Sequence, residues 1–220
     1  MNNHSIKPIT LTRTTTTFLF SLFLIIPALA DKPDEESIAL HNQALTLLTG
    51  KQTSEQTASA LTMLRQAAAN GLRPSKIKLA ELHYLGVDGV EKNFPVALPY
   101  VRELAVAGHP WSQNTFGAVH EFGNGVKLNR AIAIHWYREA ALKGNVRAMA
   151  NLGRILRSGP ANQQQPVEAF AWLRIAADHG DTSAKNILED IGRAIPANQR
   201  RAVEHRVTEL RELIKEPSPM

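Results

Sequence analysis

Three sets of side chains in this 220-residue sequence stand at spacings that could do chemistry. Ser75-Lys76-Ile77-Lys78 matches Ser-x-x-Lys, in which a lysine amine activates a serine nucleophile. Ser112-Gln113-Asn114 matches a second element of the penicillin-binding constellation. No Lys-Thr-Gly element accompanies them, and both serines fall at nearly the same repeat position, at a helix start, where serine is expected as a cap. His120-Glu121 opens like a zinc-binding helix, but Asn124 stands where the second histidine belongs. His83 and His120 occupy one column of an internal repeat, and Leu156 in the next copy marks that column as core or its border. Two ligands alone make a poor structural metal site. The residues therefore predict no catalytic centre, no metal and no cofactor.

Recognition is the better-supported chemistry. Arg65, Arg102, Arg138 and Arg174 form an uninterrupted column, one per repeat. A guanidinium grips carboxylates or phosphates through two parallel hydrogen bonds. The competing reading is a set of inexpensive surface pairs, with Glu103 or Glu139 as partners. Tyr137 is expected on the same face. Trp111 stands off the core pattern, just before a helix, and is expected as an interface anchor or as packing against the preceding repeat. Trp136 and Trp172 are core by periodicity.

The elements that would position these residues repeat with a period of thirty-six. Segments 60–71, 97–108, 133–144 and 169–180 align, and their closing glycines lie 37, 36 and 36 residues apart. A fixed period of this size predicts a solenoid. In each segment the apolar columns follow i, i+3, i+4, i+7: Ala60/Ala97/Ala133/Ala169, Met63/Tyr100/Trp136/Trp172, Leu64/Val101/Tyr137/Leu173 and Ala67/Leu104/Ala140/Ala176. This is one helix, A. A second helix, B, follows each glycine, with columns Leu79/Phe116/Leu152/Leu188 and Leu82/Val119/Ile155/Ile191. A small residue, Ala80, Gly117 or Gly153, follows the first of these and permits close helix contact. Asn93 and Asn129 are expected as N-caps of the next helix A.

The ends are atypical, as solenoid caps should be. Residues 36–49 read as helix B of a degenerate first repeat, and 197–214 as a charged capping helix. The domain plan is a signal peptide over 1–30, a disordered linker over 31–35, a repeat solenoid over 36–193, and a capping helix and tail over 194–220.

The signal peptide follows from residues 18–30, an apolar run ending in Ala28-Leu29-Ala30 and preceded by Lys7 and Arg13. Cleavage is expected after Ala30, with the product periplasmic or secreted and not inserted in a membrane. The formal charge is +5, and the first thirty residues hold two positive groups and no acid, so the remainder is only mildly basic. That excess gives no argument for nucleic acid. Cysteine is absent, which excludes disulfides, thiolate metal sites and a cysteine nucleophile.

The Leu/Phe-Gly steps, the Gly-x-Gly-Val loop, the following Asn, the Ala-x-x-Trp and the closing Ala-Ala-x-x-Gly resemble the Sel-1-like repeat family, relatives of tetratricopeptide repeats. The resemblance covers about residues 36–193. It departs at His83, His120 and Leu156, where the family often has tyrosine, and at a loop position where Asn replaces the usual acid. It implies an all-α, right-handed α/α solenoid of about four antiparallel helix pairs, acting as a scaffold, adaptor or regulator. The expected partner is a protein or an envelope polymer, bound by a monomer on a concave face carrying Arg65, Arg102, Arg138, Arg174, Tyr137 and Trp111. The alternative is a cell-envelope hydrolase or penicillin-binding enzyme.

Overall fold

The computed structural model describes residues 34–159, 164–191 and 197–214, and all regular structure within them is helical. The helices are α1 (Glu35–Leu47), α2 (Ser54–Ala69), α3 (Arg73–Glu81), α4 (Phe94–Val106), α5 (Pro110–Phe122), α6 (Arg130–Ala141), α7 (Val146–Arg157), α8 (Pro166–Asp178), α9 (Thr182–Ile191) and α10 (Ala197–Leu213). Even-numbered helices from α2 to α8 are the A helices of the repeat; α1 and the odd-numbered helices are the B helices. Consecutive helices pack on one another from α1 to α9, and α10 packs back on α8, giving an α/α solenoid. The expected signal peptide, residues 1–30, lies outside the described residues. Asp34 caps α1 by accepting from the Ser37 amide at 2.5 Å, and Glu35 is helical. The linker expected to reach residue 35 thus yields its last two residues to the helix.

Helix entry is local. Asn93 accepts from the Val96 amide at 3.2 Å and Asn129 from the Ile132 amide at 3.1 Å. Each such cap contributes about 1 kcal/mol. The same residues close the loop behind them. The amides of Asn93, Asn129 and Gln165 donate to the carbonyls of His83, His120 and Leu156 at 2.7, 2.8 and 3.1 Å. The histidine column is thus the place where each loop is tied back to the preceding helix B. Between His83 and Asn93 the chain has one residue more than between His120 and Asn129. There the last turn of the helix widens into a π turn, Leu82–Gly86, the usual way a helix absorbs an extra residue. Both copies close on a glycine in the left-handed region, Gly86 at φ 71° and Gly123 at φ 70°, as a C-terminal glycine should.

Packing depends on complementary sizes. A Cβ built on Gly117 would lie 2.7 Å from the Tyr137 ring, and one on Gly153 would lie 2.6 Å from Leu173 Cγ. In the first copy Ala80 shares a buried cluster with the smaller Val101. The small residue on each helix B therefore matches the side chain that the next helix A presents. Polar ties cross between repeats as well. Lys143 Nζ donates to the Gly108 carbonyl at the end of α4 and to Gln113 Oε1, both at 3.1 Å. Arg130 donates to the Ile155 and Ser158 carbonyls at the end of α7. A cation at a helix C-terminus is favoured by the carbonyls exposed there.

Helix α10 covers α8, as expected of a cap. Val203, Val207 and Leu210 are buried in the same core as Trp172. Arg206 forks onto Glu168 through Nε at 2.6 Å and Nη2 at 3.2 Å, while Trp172 Nε1 donates to the same carboxylate at 2.9 Å. These charge-assisted bonds hold the Glu168 pKa down against the burial that would raise it.

Candidate partner-docking groove

A groove of about 740 Å³ lies between α4 and α6, floored by α5. Its walls are Pro95, Leu98, Pro99, Arg102 and Val106 on one side and Ile132 and Trp136 on the other. Phe116 and His120 form the floor, and Val126 closes one end. The aromatic groups interlock: Phe116 meets Trp136 edge-on at 5.4 Å and His120 at 4.9 Å. Pro99, inside α4, has no N–H to give the Pro95 carbonyl, so one backbone acceptor of that wall lacks its helical donor. The exposed Val106 and Ile132 extend the apolar surface, at 71% and 36% exposure.

The arginine column divides. Arg65 and Arg102 are exposed and Arg138 is half-buried. None of the three forms an ion pair among the described residues. Arg102 is the charged member of the groove wall. Arg174 is already engaged, by Asp178 at 3.3 Å and by Glu204 of α10 at 4.0 Å. It is therefore a capping residue, not a free contact.

Two expected contact residues prove to be internal. Tyr137 is fully buried, with its hydroxyl donating to Glu121 Oε2 at 2.7 Å. Burial and the adjacent carboxylate push its pKa up. Arg154 pairs with the same oxygen at 2.6 Å. Tyr137 lies in the register of Leu64 and Leu173, so its ring fills the space over Gly117 and leaves no surface for a partner. Trp111 belongs to α5, not to the residues before it, and packs half-buried against the cluster of Ala80, Val101 and Leu104. Of its two readings, packing on the preceding repeat holds. Trp136, assigned to the core by its period, is instead a groove wall.

The serine constellation does not assemble. Ser75 is fully buried and its hydroxyl lies 2.9 Å from His41 Nδ1. Lys78 turns away to Asp88 at 2.9 Å. Ser112, also fully buried, meets His109 Nδ1 at 2.9 Å. Neither serine caps its helix as expected, since Leu72 and His109 hold the cap positions and each serine sits in the first turn. Gln113 and Asn114 are taken up by Lys143 and Asn151. No cluster of three potential metal ligands occurs among the described residues. Both ring nitrogens of His83, and Nδ1 of His120, are buried without a hydrogen-bond partner.

The groove was only partly legible in the sequence. The available signals were apolar residues outside the core stripe, Ile132 and Val106, and a proline within a helix, Pro99.

The Sel1 repeat family model matches four segments, residues 37–72, 74–103, 117–145 and 146–181. Each matched segment joins a helix B to the helix A that follows it, the pairing in which Gly117 meets Tyr137 and Gly153 meets Leu173. Comparison with curated proteins gives no match. Among solved structures, the chain is similar to a Sel1 repeat protein from Oxalobacter formigenes. The two are 26% identical, with a TM-score of 0.61, over 80% of this chain and 73% of that one. It is also similar to a protective antigen with an SLR fold present in uropathogenic Escherichia coli strains. There the identity is 21% and the TM-score 0.54, over 84% of this chain and 50% of the antigen. The chain thus spans half the length of that antigen, and the likeness concerns the fold.

Proposed function

The chain belongs to the Sel1 repeat family, and from that premise we propose that it is an exported scaffold or adaptor of the bacterial cell envelope, docking a protein partner in the α4–α6 groove. Sel1 repeats generally mediate protein–protein interaction. The observation that carries the proposal is the groove itself: an open apolar surface with an aromatic floor and an arginine that has no acidic partner among the described residues. A folded monomer gains nothing from leaving Val106, Ile132 and part of Trp136 to water, so such a contiguous patch marks a contact surface. The mechanism is presentation of a preformed surface, with no bond made or broken. Export rests on the apolar run and the Ala28-Leu29-Ala30 site.

The test is crosslinking in the cell followed by co-purification, wild type beside Arg102→Glu/Arg138→Glu. One partner enriched with wild type and lost with the folded variant supports the reading. Equal recovery from both removes this face from binding. Intact mass of the purified chain tests export: a mature N-terminus at Asp31 is expected, and an uncleaved Met1 form in the cytoplasm would refute it.

A further inference from the structure

The loops that carry each helix B into the next helix A form one edge of the repeats, and that edge is both apolar and cationic. Of the eight large apolar side chains left exposed among the described residues, four stand there: Leu85, Val87, Phe122 and Leu128. Leu85 and Phe122 hold one repeat position, two residues after His83 and His120. Phe122 and Leu128 are each 61% exposed. The two loops are joined through Phe94. Its ring meets that of Tyr84 at 5.5 Å, and a Cβ built on Gly125 would lie 3.3 Å from its own Cβ. Leu128 folds back beside the residue after Phe122, since a Cβ on Gly123 would lie 3.7 Å from that of Leu128. None of the four apolar residues lines the α4–α6 groove.

The charges on this edge select what covers it. Lys92, Lys127 and Arg157, the last residue of α7, are exposed and form no ion pair among the described residues. The acids there are mostly spent: Asp88 pairs with Lys78 at 2.9 Å and Glu121 with Arg154 at 2.6 Å, which leaves Glu91. Free cations thus outnumber free acids three to one. Apolar side chains interleaved with long cationic ones match a bilayer interface, where the apolar groups pass the headgroups and the ammonium groups stay at the phosphates. We infer that this edge rests on an anionic phospholipid bilayer, with Phe122 and Leu128 entering the headgroup–acyl boundary and Lys92, Lys127 and Arg157 meeting lipid phosphates. No described helix is long and apolar enough to cross a membrane, so the association is peripheral and reversible. The inference goes beyond the docking reading and does not depend on it.

The test is co-sedimentation with vesicles of phosphatidylcholine alone and of equimolar phosphatidylglycerol and phosphatidylcholine. Residues 31–220 are used, since every described helix lies within them and the apolar run at 18–30 would bind lipid by itself. Binding to the mixed vesicles is expected, about tenfold weaker or more on phosphatidylcholine alone. Phe122→Ser/Leu128→Ser should weaken it about tenfold or more, and Lys127→Gln about fivefold. These positions are exposed, so the variants should keep the wild-type circular dichroism. Phe122→Trp reports depth: its emission should shift to the blue on mixed vesicles and be quenched by brominated acyl chains. Failure to bind the mixed vesicles overturns the inference, as does equal binding by the Phe122→Ser/Leu128→Ser variant or an unquenched tryptophan at 122. Equal affinity for both vesicles refutes the anionic surface. Absence of vesicle binding together with loss of the cellular partner in Phe122→Ser/Leu128→Ser would make the edge a protein interface instead.

Discussion

Gly153→Ala tests the physical basis of repeat stacking. The new Cβ would lie 2.6 Å from Leu173 Cγ and 2.8 Å from the Ala169 carbonyl oxygen. Ordinary contacts begin near 3.4 Å, so α7 and α8 must separate by roughly 0.6–0.8 Å, against the close packing of a protein interior. Alanine by itself would favour the helix by about 1 kcal/mol over glycine. Overpacking opposes this with typically about 1–3 kcal/mol, and the backbone oxygen in the clash places this site at the upper end. The net expectation is about 2 kcal/mol of destabilisation, a melting-temperature drop of roughly 4–8 °C for a chain of this size. Thermal melts by far-ultraviolet circular dichroism read it directly. Leu173→Val should cost about 1 kcal/mol alone but less in the Gly153→Ala background, because it imitates the Ala80 and Val101 pairing of the first copy. A melting temperature at or above wild type for Gly153→Ala would show that the helices part freely, and the size-matching argument would fall.

Lys143→Met should destabilise the chain by about 1–2 kcal/mol in urea titration, since it strips the Gly108 carbonyl and Gln113 of their donor; an unchanged midpoint would mean water replaces the amine fully. Burial first, then the Arg65 charge, holds the His83 pKa below the ordinary histidine value, and the nearby Glu91 carbonyl offsets this only in part. Burial likewise leads the lowering at His41 and His109. The folded chain then binds fewer protons than the unfolded one, so stability is full above about pH 6.5 and falls as pH drops below it. His83→Leu, which copies Leu156, should raise the melting temperature and shallow that fall; an identical slope from pH 7.5 to about 5.5 would discharge His83 from the effect. Arg206→Met leaves the mostly buried Glu168 carboxylate without its fork. Hydrogen exchange should speed up across α10 while α4–α6 stay protected, and uniform loss of protection would show that the cap is not a separable unit.

The repeat was written plainly in the sequence because each helix pair needs the same apolar columns and the same turn residues. The cap positions Asn93 and Asn129, the small residues Gly117 and Gly153, and the terminal α10 all follow from that local grammar. Family membership follows as well. The site was legible only in its charge: Arg102 could be picked as one of four, but not told apart from Arg174.

Period decides which way a side chain leaves its helix, not what the next helix does with the space. Tyr137 and Trp136 are adjacent residues on α6, one step apart in direction. Tyr137 turns toward Gly117 and is sealed; Trp136 turns toward the gap between α4 and α6 and stays half open. Trp172, with the same period as Trp136, is sealed because α10 arrives from a distant part of the chain. The sequence alone determined the helices, their order and the buried stripe, since these depend on neighbours a few residues away. Only the tertiary structure decided which part of that stripe is left uncovered, because covering it depends on where non-adjacent helices come to rest.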